Sequence, residues 1–148
     1  MINNKCVYYE TSRYNYEDAK QGCESRFSNN GRLFEPKTWY ENEVAFKIGR
    51  HSLGIIYVNW WVGINDEENE GQFVFESDGT SISYSPSWFN GYGTKGTSHN
   101  CILFASEDSQ TVTWLDWPCS SSFRSICEQI TTLSLPAECN NYKVLKLA

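Results

Sequence analysis

Six cysteines, Cys6, Cys23, Cys101, Cys119, Cys127 and Cys139, constrain this chain more than any other feature. Their number is even, no two form a C-x-x-C pair, and only two histidines accompany them. That spacing suits disulfides and not structural zinc, whose ligands come in close pairs. Disulfides imply an oxidising compartment, so the expected setting is secreted or extracellular. At 148 residues one domain is expected, since a chain of this size buries about 68–70% of its unfolded surface around a single core.

Charge removes several function classes. Twelve basic residues against 18 acidic ones give a formal net charge of −6, and the basic residues are scattered, so no patch exists to track a phosphate backbone and no nucleic-acid partner is expected. No run approaches 18 consecutive apolar residues, so no membrane span is expected. Six Trp, nine Tyr and eight Phe are a heavy aromatic load. Most must be core, with some reaching the surface.

Two helices precede a series of strands. Asn15 caps the first, with Asp18 as capping-box partner, and Tyr16, Ala19, Cys23 and Phe27 give one apolar face. Asn29-Asn30-Gly31 ends it. Thr38 and Glu41 open the second, with Tyr40, Val44 and Ile48 one turn apart and Gly49 or Gly54 as the stop. Cys6 to Thr11, ahead of the helices, reads as a strand, and from Ile55 onward short hydrophobic runs read as antiparallel strands: Tyr57 to Ile64, Gln72 to Glu76, Cys101 to Ala105, Val112 to Leu115 and Ser122 to Glu128. The order predicts an α+β fold.

The stretch Gly91-Tyr92-Gly93-Thr94-Lys95-Gly96 spells G-x-G-x-x-G. A dinucleotide turn needs a helix directly behind it to meet the pyrophosphate, and the next segment, 97–104, reads as a strand. The match is a glycine-rich loop.

Trp61-Val62-Gly63-Ile64, followed by Glu70-Gly71, resembles the W-I-G-L…E-G core of the C-type lectin-like domain family, as do Trp114-Leu115-Asp116-Trp117-Pro118-Cys119 and Ile126-Cys127-Glu128. With the Ala19…Cys23 helix and Arg32-Leu33, the resemblance spans about residues 6 to 129. It implies two helices flanking antiparallel sheets, the ends of the domain paired and a long loop region on one side. The domain is accordingly expected over 1–129, and the tail over 130–148, with Leu133, Leu135, Val144, Leu145 and Leu147, carries enough apolar side chains to pack on the domain or on a partner. The resemblance also implies that Cys23 joins Cys127 and that Cys101 joins Cys119. Cys6 and Cys139 then join each other or link two chains, which leaves a homodimer open.

Sugar-binding members of that family hold Ca²⁺ at the loop tip through a Glu-Pro-Asn or Gln-Pro-Asp triplet, an acid before the third core cysteine and a Trp-Asn-Asp run. Here the triplet positions hold Tyr92, Gly93 and Thr94, His99 and Asn100 precede Cys101, and Trp-Asn-Asp has become Trp114-Leu115-Asp116. One carboxylate beside an aliphatic side chain does not replace the six to eight oxygens that Ca²⁺ requires, so no cofactor is required at this position. Without the proline, Gly93 is expected to leave the turn flexible. At a second family calcium position Asp66 and Glu70 match two acidic ligands, with Asn100 and a carbonyl of His99 as neutral oxygens, so Ca²⁺ at a non-standard site is the alternative. Glu43 and Glu128 are candidates for an auxiliary ion but read more simply as salt-bridged or solvated.

The loop from Pro86 to Trp117 is therefore the expected ligand surface, with Phe89, Tyr92, Thr94, Lys95, His99, Asn100, Leu115, Asp116 and Trp117 as its candidate residues and Trp88 and Trp114 in the core. Aromatic rings among small polar groups are the composition of recognition surfaces, so the partner is a glycan or an extracellular protein. Neither His51 nor His99 has a nucleophile and an orienting acid in a recognised motif, so no enzyme is expected. Ice binding, which some relatives have acquired, lacks its flat threonine array here.

Overall fold

The computed structural model describes residues 3–56, 59–130 and 143–147. Eight strands form one sheet: β1 (Asn3–Tyr14), β2 (Gly31–Leu33), β3 (Trp60–Asn65), β4 (Val74–Phe75), β5 (Cys101–Ala105), β6 (Thr113–Trp117), β7 (Phe123–Gln129) and β8 (Lys143–Leu147). Their order is β6-β5-β3-β7-β1-β8, with β2 beside β7 and β4 beside β3. Helices α1 (Tyr16–Glu24) and α3 (Trp39–Lys47) flank a short turn, α2 (Arg26–Asn29). The sheet is not wholly antiparallel, because β3 and β7 run parallel at Trp60↔Arg124 and Trp61↔Ser125. Strands that come together from distant parts of the chain are under no hairpin constraint, so local pattern cannot set their direction.

β1 pairs with β7 along one edge and, at residues 3–7, with β8 along the other. Cys6 is buried on β1 and engaged in a disulfide; Cys139 lies outside the described residues, as do Tyr57 and Val58.

Side chains alternate across the sheet, and both faces are covered. Trp60, Val62 and Ile64 of β3 join Ile102, Phe104 and Trp114 on one face, packed by Phe46 of α3. Trp61, Leu103 and Leu115 point the other way, towards Tyr16, Ala19 and Cys23 of α1. Double coverage explains why β3 and β5 are buried without interruption. Trp60, Trp61 and Trp114 are fully buried; each such ring contributes about 4–6 kcal/mol of transfer free energy as an upper estimate.

Both helix caps form as expected. Asn15 Oδ1 accepts the Asp18 N–H at 2.8 Å and Thr38 Oγ1 accepts that of Glu41 at 3.2 Å. The α1 face of Tyr16, Ala19 and Cys23 is buried, but the helix stops at Glu24, and Phe27, Ser28 and Asn29 turn through left-handed φ of 56°, 58° and 65°. The inward face of α3 differs from the expected one: Tyr40 is exposed, Val44 and Ile48 are half-buried, and Glu41, Asn42, Ala45 and Phe46 point inward. Asn42 sets this rotation, since its Oδ1 accepts the buried Trp114 Nε1–H at 2.8 Å. Helix α3 passes into a wider π-type turn at Ile48–Ser52, where a Cβ on Gly49 would stand 2.8 Å from the Tyr9 ring.

Two disulfides with both cysteines among the described residues bind this frame together. Cys23–Cys127 joins α1 to β7 and Cys101–Cys119 joins the start of β5 to the turn after β6, with Cα separations of 5.2 and 5.3 Å.

Candidate functional site

The loop region between β4 and β5 is fastened to β6 by main-chain bonds. Trp114 donates its N–H to Ser87 O and accepts that of Phe89 through its own carbonyl, both at 2.9 Å. Trp88 is half-buried and packs edge-on against Trp114, with ring centroids 5.7 Å apart. Gly91, Gly93 and Gly96 then take φ of 86°, 101° and 90°, the left-handed region that admits glycine. The chain leads directly into β5 with no intervening helix, so the G-x-G-x-x-G stretch is a series of turns.

Asp116 lies beneath these turns and is 1% exposed. Its Oδ1 accepts the Gly93 N–H at 2.8 Å and its Oδ2 accepts the Lys95 N–H at 2.9 Å. Gly93 is accordingly not a loose point: its amide is bound to a carboxylate, and a Cβ there would stand 2.7 Å from the Trp88 ring. The carboxylate and the ring therefore meet the turn from both sides and oppose the freedom expected of a glycine there.

The turns carry a half-buried aromatic face. Phe89 meets Tyr92 edge-on at 5.8 Å, Tyr92 stacks beside Trp117 at 6.1 Å with planes 28° apart, and His99 meets Trp117 edge-on at 6.1 Å. Trp117 donates its Nε1–H to Ser121 Oγ at 3.2 Å and rests against Phe123. Phe123 continues to the buried Trp61, 5.4 Å away, so the face is rooted in the core. The Lys95 ammonium lies 4.7 Å from the centre of the Tyr92 ring.

Of the nine candidate ligand residues, Phe89, Tyr92, Lys95, His99 and Trp117 form this face, with Thr94 exposed on the turn between them. Leu115 does not: it is 8% exposed and packs with Trp61 and Leu103, on the same side of the sheet as Trp117 but covered there by the α1 cluster. Asp116 does not reach the surface either, and acts from below on the main chain. Asn100 donates its amide to Thr97 O at 2.9 Å and belongs to a second cluster. Phe123 and Ser121 were missed; Phe123 was legible as the residue two before the buried Ser125 in an alternating strand.

That second cluster brings together Asp66, Glu70 and Asn100. The Asp66 N–H donates to Asn100 O at 3.0 Å, and Asp66 Oδ2 accepts the Gly71 N–H at 2.8 Å. Asp66 is 2% exposed, yet its Oδ1, like Asn100 Oδ1, is buried without a hydrogen-bond partner among the described residues. Burial raises the Asp66 pKa, and Asp116 adds to the rise. Glu70 on the surface is raised by desolvation and then by the charge of Asp66. Two orphaned oxygens and a crowded pair of carboxylates have the chemistry that could hold a hard cation.

Glu128 is fully enclosed, and its carboxylate meets Lys5 at 3.4 Å, Arg32 at 3.5 Å and the Glu35 N–H. Lys5 also pairs with Glu41 at 2.7 Å. A lysine ammonium and an arginine thus meet Glu128, as its salt-bridged reading expected.

A family model for the lectin C-type domain matches residues 12–129. The chain belongs to the C-type lectin domain family. Among curated relatives of this C-type lectin domain, human C-type lectin domain family 3 member A is 32% identical over 127 residues, covering 86% of this chain and 60% of that protein. Mouse tetranectin is 30% identical over 130 residues, again covering 86% and 60%. The chain therefore spans about three fifths of these relatives. Among solved structures, human lithostathine superposes with a TM-score of 0.72 at 25% identity, covering 86% of this chain and 84% of that one. The herring type II antifreeze protein gives 0.70 at 20% identity, covering 89% and 95%, and shares the fold alone. The C-type lectin core motifs read from the sequence coincide with β3, β6 and β7, and both implied core disulfides are present.

Proposed function

We propose that this C-type lectin domain is an extracellular recognition module that binds a glycan or protein ligand non-covalently through the face of Phe89, Tyr92, His99 and Trp117, without a Ca²⁺-bridged sugar site. The observation that carries this reading is the engagement of Asp116. The one carboxylate at the usual calcium position accepts two main-chain N–H groups of the turn that would have to supply the remaining ligands. Tyr92, Gly93 and Thr94 bring no carboxylate, and Leu115 is turned inward. These residues do not fit Ca²⁺. Stacked rings with few rotamers suit a recognition role, the disulfides support an extracellular setting, and no constellation of nucleophile, base and orienting acid among the described residues supports catalysis. None of the described helices is long and apolar enough to cross a membrane. Glycan-array and protein-pulldown binding in EDTA tests the reading: retention of the ligand supports it, and loss of all binding on chelation contradicts it.

The orphaned Asp66 Oδ1 and Asn100 Oδ1 favour a second reading, a Ca²⁺ ion held by Asp66, Glu70 and Asn100. These residues fit the ion. Bound there, it would neutralise Asp66 and Glu70 and brace the loop through Asn100, one residue from His99. Calorimetric titration of Ca²⁺ into wild type and Glu70→Gln tests it: heat in the first and none in the second supports the site, whereas no heat in either contradicts it.

A further inference from the structure

The aromatic face has an acidic border. Asp66, Glu67, Glu68 and Glu70 fall within five residues of the loop after β3, and Glu67, Glu68 and Glu70 are exposed. The loop is tied beside the face by one hydrogen bond, from the Asp66 N–H to the carbonyl of Asn100, next to His99. Glu67 Oε1 lies 3.7 Å from the disulfide sulfur of Cys119, two residues beyond Trp117, which places its carboxylate at the edge of the face.

The rings already carry a cation of the protein's own, the exposed Lys95 ammonium over Tyr92. Meanwhile, two polar groups beside the rings are engaged internally. Ser98 Oγ is bonded to His99 Nδ1 at 2.8 Å, and the Asn100 amide donates to Thr97 O at 2.9 Å.

We infer that this face docks a basic segment of a partner protein, with an arginine guanidinium displacing the Lys95 ammonium from the Tyr92 and Trp117 rings and Glu67 and Glu68 meeting its charge. The inference rests on the aromatic face being the ligand surface, as proposed above. A planar guanidinium stacks on aromatic rings better than an ammonium does, and a net charge of −6 steers a basic partner towards the molecule.

The test is a nitrogen-15 NMR titration in EDTA at low salt, reading the Trp117 indole N–H. The probes are a hexapeptide alternating Gly and Arg and its Lys and Glu counterparts. The expected result is that the Arg peptide shifts this resonance, the Lys peptide binds more weakly and the Glu peptide leaves it in place. Lys95→Ala should tighten the Arg peptide by about 2- to 5-fold, the value of an exposed cation–π competitor, and the double variant Glu67→Gln, Glu68→Gln should weaken it. Tighter binding of the Glu peptide, or weakening by Lys95→Ala, would overturn the basic-partner assignment while leaving the aromatic face standing. Peptide binding that leaves the Trp117 resonance unmoved would remove the face as well.

Discussion

Asp116 and Gly93 are joined by a 2.8 Å hydrogen bond from the glycine amide to the carboxylate Oδ1, and the other oxygen binds Lys95 N–H at 2.9 Å. A buried anion thereby organises the main chain of a loop tip. Asp116→Asn keeps the shape but turns an NH₂ group towards one of the two amides. The expected cost is about 1–3 kcal/mol, that of an unmade buried hydrogen bond. Urea unfolding measures it, and faster amide exchange at Gly93 and Lys95 than at β5 locates it.

Gly93→Ala and Gly91→Ala separate crowding from backbone strain. Both residues have positive φ, 101° and 86°, but a Cβ at Gly93 meets the Trp88 ring at 2.7 Å and one at Gly91 meets nothing within 4 Å. The first is expected to destabilise by about 2–4 kcal/mol, strain and overpacking together, and the second by about 1 kcal/mol. Equal effects in denaturant titrations would show that the Trp88 contact is immaterial.

Leu115 and Trp117 lie two residues apart on β6 and have different roles. Leu115→Ala leaves a cavity beside Trp61 and should lower stability by about 2–5 kcal/mol, with ligand affinity little changed under folding conditions. Trp117→Ala should lower affinity at least 10-fold, as a hot-spot ring does. Thermal melts and binding isotherms on the same two variants check both outcomes.

Mild acid should stabilise the metal-free protein. Burial raises the pKa of Asp66, Glu67 and Glu128, and desolvation that of Glu70, above ordinary values of 3.8 and 4.5. The folded state then holds these protons more tightly than the unfolded chain. Their contribution is complete below the ordinary value and lost as pH rises through the raised one. Asp78 and Asp108 act oppositely. The Thr80 and Thr111 amides lower their pKa values, so their stabilisation is present above 3.8 and lost as pH falls through the lowered values. In EDTA the urea midpoint should therefore be higher at pH 5 than at pH 7 and decline again below about pH 4. Excess Ca²⁺ should reduce the gain at pH 5, since protons and the ion compete for Asp66 and Glu70.

Much of the frame was legible because its signals are local. The Asn15 and Thr38 caps, the α1 face and the extent of β5 come from neighbouring residues alone. The rotation of α3 was not legible: it depends on Asn42 meeting Trp114 72 residues away. The parallel contact of β3 with β7 and the short strand β2 likewise arise from pairings between distant segments. At the site, the aromatic residues were found from their types, but the inward side of Leu115 required knowing that both faces of the sheet are covered. The role of Asp116 was hidden for a related reason. A carboxylate near a ligand position reads as a ligand, and only the geometry reveals that main-chain amides of the loop occupy it.

The central claim is that this loop tip works by a buried carboxylate tie in place of a sugar-bridging metal. Calorimetric titration of Ca²⁺ into wild type, Asp66→Asn and Asp116→Asn at pH 7 tests it most directly. The account predicts no more than one ion per chain, abolished by Asp66→Asn and still bound by Asp116→Asn. A second ion in the wild type that is lost with Asp116→Asn would contradict it.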